Sequence, residues 1–125
     1  MTAIPKVMLI DDDPDIIKLG KLSLSGIAKW TVITSTSARE ALVQAIQDKP
    51  DLIIMDTSMP DMDGLSLMER FHVTEGLEDI PILLTTTRIE EGEEEFYKSK
   101  GACGLIEKPF NPETLPHQIV SIVGS

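Results

Sequence analysis

Short unbroken apolar runs alternate along this chain with longer stretches in which apolar residues recur every three or four positions. KVMLI (6–10), DLIIM (51–55), PILL (81–84) and GLI (104–106) are continuous rather than alternating, the pattern of strands buried on both faces. WTVIT (30–34) is a weaker candidate that rests on β-branched residues, with Trp30 as a structural residue at its start. In chain order these are β2 (30–34) between β1 (6–10) and β3 (51–55), then β4 (81–84) and β5 (104–106). Helical patterns fill the gaps. The first, α1, opens at Asp13-Pro14, with Asp13 as N-cap and Pro14 at the first helical position, and is expected to end near Gly26. The second, α2 (37–47), can be capped by Ser37 and puts Ala41, Leu42, Ala45 and Ile46 on one face. The third, α3, follows Gly64 and carries Leu65, Leu67, Met68 and Phe71. The fourth, α4, runs from about Glu91 to Lys100 and stops at Gly101. The last, α5, lies within Pro112 to Val123, where Pro116 demands a late start or a bend.

Strand and helix alternating in this way predict an α/β fold, a parallel sheet with helices on both faces, because right-handed crossovers demand it. Ligands in such sheets bind beyond the carboxyl ends of the strands. At 125 residues the chain fits one domain spanning 1–125. Its 42% hydrophobic and 26% charged content are those of a globular protein, and no apolar run is long enough for a bilayer. The aspartates after KVMLI cut short what would have to be a signal peptide's apolar segment, so a cytoplasmic location is expected. The ordinary start MTAIP and the end just after the last helix lead us to expect a stand-alone protein.

A net charge of −10 argues against binding nucleic acid or an anionic membrane and favours cations and basic partner surfaces. Part of the excess is the run IEEGEEE, read as a solvated helix face. Cys103 is the one cysteine, so it is read as a buried reduced thiol. His72 and His117 have no neighbours at zinc-ligand spacing, and no phosphate-cradling glycine loop is present. Met55, Met59, Met62 and Met68 read as core and turn packing.

The chemistry gathers at the strand ends: Asp11-Asp12-Asp13 after β1, Asp56 after β3, Thr85, Thr86 and Thr87 after β4, and Glu107-Lys108-Pro109 after β5. In a parallel sheet all four groups share one rim. Asp11, Asp12 and Asp56 would crowd like charges there, which raises at least one pKa unless a cation intervenes. Hard oxygen ligands without His or Cys favour Mg²⁺, which leaves room for phosphate oxygens. A carboxylate can itself accept a phosphoryl group, with Lys108 and a threonine hydroxyl holding its oxygens.

Four pieces in order, LIDDDP (9–14), DLIIMDTSMPDMDG (51–64), PILLTTT (81–87) and IEKPF (106–110), closely resemble the receiver domains of two-component response regulators. The resemblance implies a flavodoxin-like, doubly wound five-stranded sheet of order 2-1-3-4-5. It implies Asp56 as phosphoacceptor, with Mg²⁺ held by Asp12, Asp56 and the backbone carbonyl of Ser58, and by Asp11 through water. Thr86 matches the switch hydroxyl, with Thr87 beside it, and Lys108 the lysine that pairs with the phosphoryl group. Pro60, Gly64 and Pro109 match structural positions near the site, and Lys108–Pro109 the family's cis peptide. The implied donor is a histidine kinase or histidine phosphotransfer protein. The implied output is a changed α4–β5–α5 face read by a downstream protein, so the chain is not an enzyme beyond its own phosphorylation and dephosphorylation. Leu105 stands where the family usually has Tyr or Phe, and a leucine cannot reproduce an aromatic ring swinging inward behind the threonine. Thr87 is bulkier than the family's usual small residue, and Ser58 and Arg88 match two variable positions flanking the site.

Two other readings remain. A pseudo-receiver would signal without phosphorylation, against which stands the intact set of Asp11, Asp12, Asp56, Thr86 and Lys108. A hydrolase of the haloacid dehalogenase type also uses an aspartate nucleophile and Mg²⁺, but needs a second Asp two positions on, where this chain has Ser58.

Overall fold

The computed structural model describes residues 6–124; the start MTAIP, read above as an ordinary chain start, and Ser125 lie outside them. Five parallel strands, Lys6–Ile10, Thr31–Ser35, Leu52–Asp56, Ile82–Thr86 and Gly104–Glu107, form one sheet in the order β2-β1-β3-β4-β5. The helices are Pro14–Lys21, Ala38–Asp48, Gly64–Val73, Glu93–Ser99 and Leu115–Val123. Flavodoxin-like topology is therefore what the alternation produces. β3 and β4 are buried along their whole length, as unbroken apolar runs require.

Successive side chains of each strand feed two cores. Met8, Ile53, Met55, Leu84 and Leu105 pack with α2 and α3 through Ala41, Ala45, Leu67, Met68 and Phe71. Val7, Leu9, Ile54, Leu83 and Ile106 pack on the opposite face with Ile16 of α1, Trp30, and Leu115 and Ile119 of α5. Each fully buried aliphatic or aromatic side chain is worth roughly 1.5–3 kcal/mol, so the two layers together fix the strand register that builds the rim.

Several boundaries differ from the sequence reading, each for a local reason. α1 keeps α-helical geometry only to Lys21 and continues as a π-helical segment over Leu22–Ile27. There the Ala28 N–H donates to the Ser23 carbonyl at 2.9 Å, and the buried Ser23 hydroxyl donates to the Pro112 carbonyl at 2.6 Å. The wider turn satisfies a polar group that would otherwise sit in an apolar layer. On α2, Ser37 caps as expected and Ala38 joins Ala41 and Ala45 in the core, but Ile46 is 48% exposed and Leu42 half-buried. α4 starts at Glu93 rather than Glu91 because Gly92 has φ 81°, outside the helical region. α5 starts late, with Pro116 in its first turn, where no backbone donor is needed. Cys103 is half-buried, its thiol donating to the Ile82 carbonyl, and burial pushes that thiol's pKa up. No helix among the described residues is long and apolar enough to cross a membrane.

Candidate functional site at the carboxyl rim

The three consecutive aspartates after β1 do three different jobs. Asp11 continues the strand, its N–H donating to the Ser35 carbonyl at 3.1 Å, and its side chain is buried at 1% exposure. Asp12 is exposed. Asp13 caps α1, accepting from the Asp15 N–H at 2.9 Å, while its own N–H donates to Asp11 Oδ1 at 2.9 Å. The chain turn thus aims Asp11 inward and Asp12 outward over the same edge.

Asp56 is the last residue of β3, opposite Thr85 on β4, and is buried. The loop that follows folds tightly back. The Thr57 N–H donates to the Thr85 carbonyl at 2.9 Å, the Gly64 N–H to the Thr57 carbonyl at 2.8 Å, and Ser58 bridges to Asp63. Met59 is buried beneath this loop, and Pro60 is exposed at its turn.

The two remaining aspartates of the loop are caps. Asp63 caps its own helix α3, accepting from the Ser66 N–H at 2.8 Å and the Ser66 hydroxyl at 3.1 Å. Asp61 caps a different helix: its carboxylate accepts from the Ser37 hydroxyl at 3.0 Å and the Ala38 and Arg39 N–H groups at 3.1 and 3.2 Å. Slight burial works upward on the Asp61 pKa, but those three hydrogen bonds outweigh it and hold the carboxyl below its usual range. The Ser66 N–H does the same for Asp63. A carboxyl whose pKa is lowered by folding stabilises fully above its unfolded value, about 3.9, and loses that contribution as the pH falls through its folded value. Asp61→Ala is expected to cost about 1 kcal/mol near neutral pH, and urea unfolding should show the gap to wild type closing below about pH 4.

Lys108 follows β5, and its N–H donates to the Thr86 carbonyl at 2.7 Å, placing its side chain between β1 and β3. The ammonium lies 2.8 Å from Asp11 Oδ2 and 3.2 Å from Asp56 Oδ1, with 7% of the side chain exposed. The Lys108–Pro109 bond is cis, and Phe110 beyond it is buried in the α1/α5 core. Burial pushes the Asp11 pKa up, and the Lys108 hydrogen bond offsets this only in part. On Lys108, burial is outweighed by the hydrogen bond and charge of Asp11 and by Asp56, so its pKa rises. The causes differ: burial dominates at Asp11, and the neighbouring carboxylates dominate at Lys108.

Carboxylate oxygens of Asp11, Asp12 and Asp56 all lie within 4.8 Å of one another. Three carboxylates against one ammonium leave a net deficit of two positive charges, which suits a divalent cation. The all-oxygen donor set suits Mg²⁺ rather than zinc, and exposed Asp12 gives access from solvent. Thr86 ends β4, buried, opposite Glu107, while Thr87 lies outside the strand and is exposed. Leu105 faces the α2/α3 core, where half-buried Ile89 and Tyr97 also pack. The sequence reading brought Asp11, Asp12, Asp56, Thr86 and Lys108 to one rim. It missed the reach of Asp61 to α2, and it missed Glu107 as a hydrogen-bonding side chain. The only signal for the first was a carboxylate in the β3–α3 loop without a helix of its own to cap.

A family model described as response regulator receiver domain matches residues 7–120. The chain is 30% identical over 118 residues to the alkaline phosphatase synthesis transcriptional regulatory protein PhoP of Bacillus subtilis, covering 94% of this chain and 48% of that one. It is 34% identical over 116 residues to the transcriptional regulatory protein KdpE of Staphylococcus aureus, covering 91% of this chain and 48% of that one. The chain thus spans about half the length of these curated relatives. Among solved structures, the chemotaxis response regulator CheY4 of Vibrio cholerae superposes with a TM-score of 0.87 at 32% identity, covering 96% of this chain and 99% of that one.

Proposed function

This chain belongs to the response regulator receiver family of two-component signalling, and from that premise we propose that it is a phospho-accepting receiver whose acceptor is Asp56. Receivers are signalling domains rather than classical enzymes, and they generally bind Mg²⁺ through acidic residues. The observation that carries the reading is the Lys108 ammonium held between Asp11 and Asp56, beside a third carboxylate on a rim that solvent reaches through Asp12.

In this reading a carboxylate oxygen of Asp56 attacks the phosphorus of a phosphohistidine on a histidine kinase or phosphotransfer protein. A phosphorus–oxygen bond forms, the phosphorus–nitrogen bond breaks, and the imidazole leaves with the electron pair and takes up a proton. Lys108 turns from Asp56 toward the phosphoryl oxygens, and the Thr86 hydroxyl, with Thr87 at the entrance, donates to another. Asp11, Asp12, Asp56 and the Ser58 carbonyl would hold Mg²⁺, which supplies charge neutralisation for the transferred group. Pro60 and Gly64 shape the loop that presents the Ser58 carbonyl, and Pro109 sets the exit from Lys108.

The reading takes the described chain as one receiver domain, placed in the cytoplasm with its donor. Its output is the α4–β5–α5 face, where Phe96, Val120 and Val123 are 47%, 39% and 36% exposed and Lys100 sits 5.7 Å above the Phe96 ring. With Leu105 in the aromatic position, that output relies on movement of the segment between β4 and α4. Acetyl phosphate supplies the test. Phosphoryl incorporation is expected to vanish in EDTA and to return with added Mg²⁺, measured by intact mass. Incorporation that is indifferent to EDTA would sink the metal assignment.

A further inference from the structure

We propose that Glu107 is a positioning residue: its carboxylate latches the segment between β4 and α4 onto the end of β5 and so sets how readily the rim takes up a phosphoryl group. The inference rests on the receiver reading and adds to it a restraint specific to this chain.

Glu107 ends β5 opposite Thr86, next to Lys108. Its side chain is exposed, yet Oε2 accepts a hydrogen bond from the Ile89 N–H at 2.9 Å, across the strand end. The half-buried Ile89 side chain, like that of Tyr97, packs against the core that contains Leu105. Past Ile89 the segment is tied mainly to itself. The Glu90 N–H donates to Glu93 Oε1 at 2.9 Å, the Glu93 N–H to the Glu90 carbonyl at 3.0 Å, and Gly92 turns the backbone at φ 81°. The Arg88–Glu90 pair is solvent-exposed and contributes little.

The consequence is mechanical. Thr87 and Arg88 join Thr86, the end of β4, to the pinned Ile89, so displacement of this segment away from the end of β5 has to give up the Glu107 bond. A carboxylate accepting from a backbone N–H is the stronger kind of hydrogen bond. The closed latch therefore opposes the phosphorylated state, and removing it should shift the equilibrium toward that state before any phosphoryl group arrives.

Glu107 also carries a negative charge near an anionic ligand, and two substitutions separate the explanations. Glu107→Ala removes charge and acceptor together; Glu107→Gln removes the charge but leaves an oxygen for the Ile89 N–H. Beryllofluoride affinity with Mg²⁺, read by calorimetry, is expected to rise about fivefold in Glu107→Ala and to stay within about twofold of wild type in Glu107→Gln. Amide exchange at Ile89 without ligand should accelerate in Glu107→Ala alone. Equal gains in both variants would mean that charge acts and the latch does not. No gain in either, or unchanged Ile89 exchange in Glu107→Ala, would also overturn the proposal. A wild type that binds no beryllofluoride would instead defeat the receiver reading, and the exchange measurement would still judge the latch.

Discussion

Lys108→Met is expected to lower the rate of phosphoryl uptake about a hundredfold to a thousandfold while Mg²⁺ binding becomes tighter. The two effects have opposite signs because the ammonium has two roles. Toward a phosphoryl group it would be a preorganised positive charge on a side chain only 7% exposed, where such a charge counts for more than in solvent. Toward a cation it is a competitor, sitting 2.8 Å from Asp11 and 3.2 Å from Asp56. Without metal the variant should also be less stable by about 2–3 kcal/mol, since Asp11 is left buried beside other carboxylates without its partner. Added Mg²⁺ should recover much of that loss by binding only the folded state. Denaturant unfolding with and without Mg²⁺, beside acetyl phosphate labelling, reads all three effects. Weaker Mg²⁺ binding in the variant would show that the lysine does not compete for the carboxylates.

Gly64→Ala is expected to cost about 2–3 kcal/mol and to weaken Mg²⁺ binding together with phosphoryl uptake. A Cβ at this position would lie 2.7 Å from the Asp56 carbonyl oxygen and 2.7 Å from the Thr57 Cα. Both are backbone atoms, so no side chain can swing away to make room. The loop would have to back off from the end of β3, pulling at the 2.8 Å bond from the Gly64 N–H to the Thr57 carbonyl and displacing Ser58. Thermal unfolding and Mg²⁺ titration test this. Wild-type stability in the variant would mean that the loop has slack that this close approach denies.

How much of this was legible in the sequence depended on how local each cause is. The unbroken runs at 6–10 and 51–55 predicted buried parallel strands because burial on both faces writes itself into every residue. Asp13-Pro14 marked a helix start because capping acts within one turn. The rim residues could be grouped once the strands were parallel, since strand ends then coincide. Asp61 lies in the loop after β3, and nothing in MDTSMPDMDG says that its carboxylate reaches the first turn of α2. Glu107 was passed over because its partner is a backbone N–H 18 residues earlier, which leaves no mark on side-chain pattern. The π-helical end of α1 escaped for the same reason: the buried Ser23 finds its acceptor at Pro112, far along the chain. Local physics is written in neighbouring letters, and tertiary hydrogen bonds are not.

The identity of the acceptor is the claim on which the rest depends. Wild type and Asp56→Asn, incubated with Mg²⁺ and acetyl phosphate and measured by intact mass, decide it. The account predicts one labile phosphoryl group on wild type and none on Asp56→Asn. A phosphoryl group that persists on Asp56→Asn, or none on wild type, would contradict it.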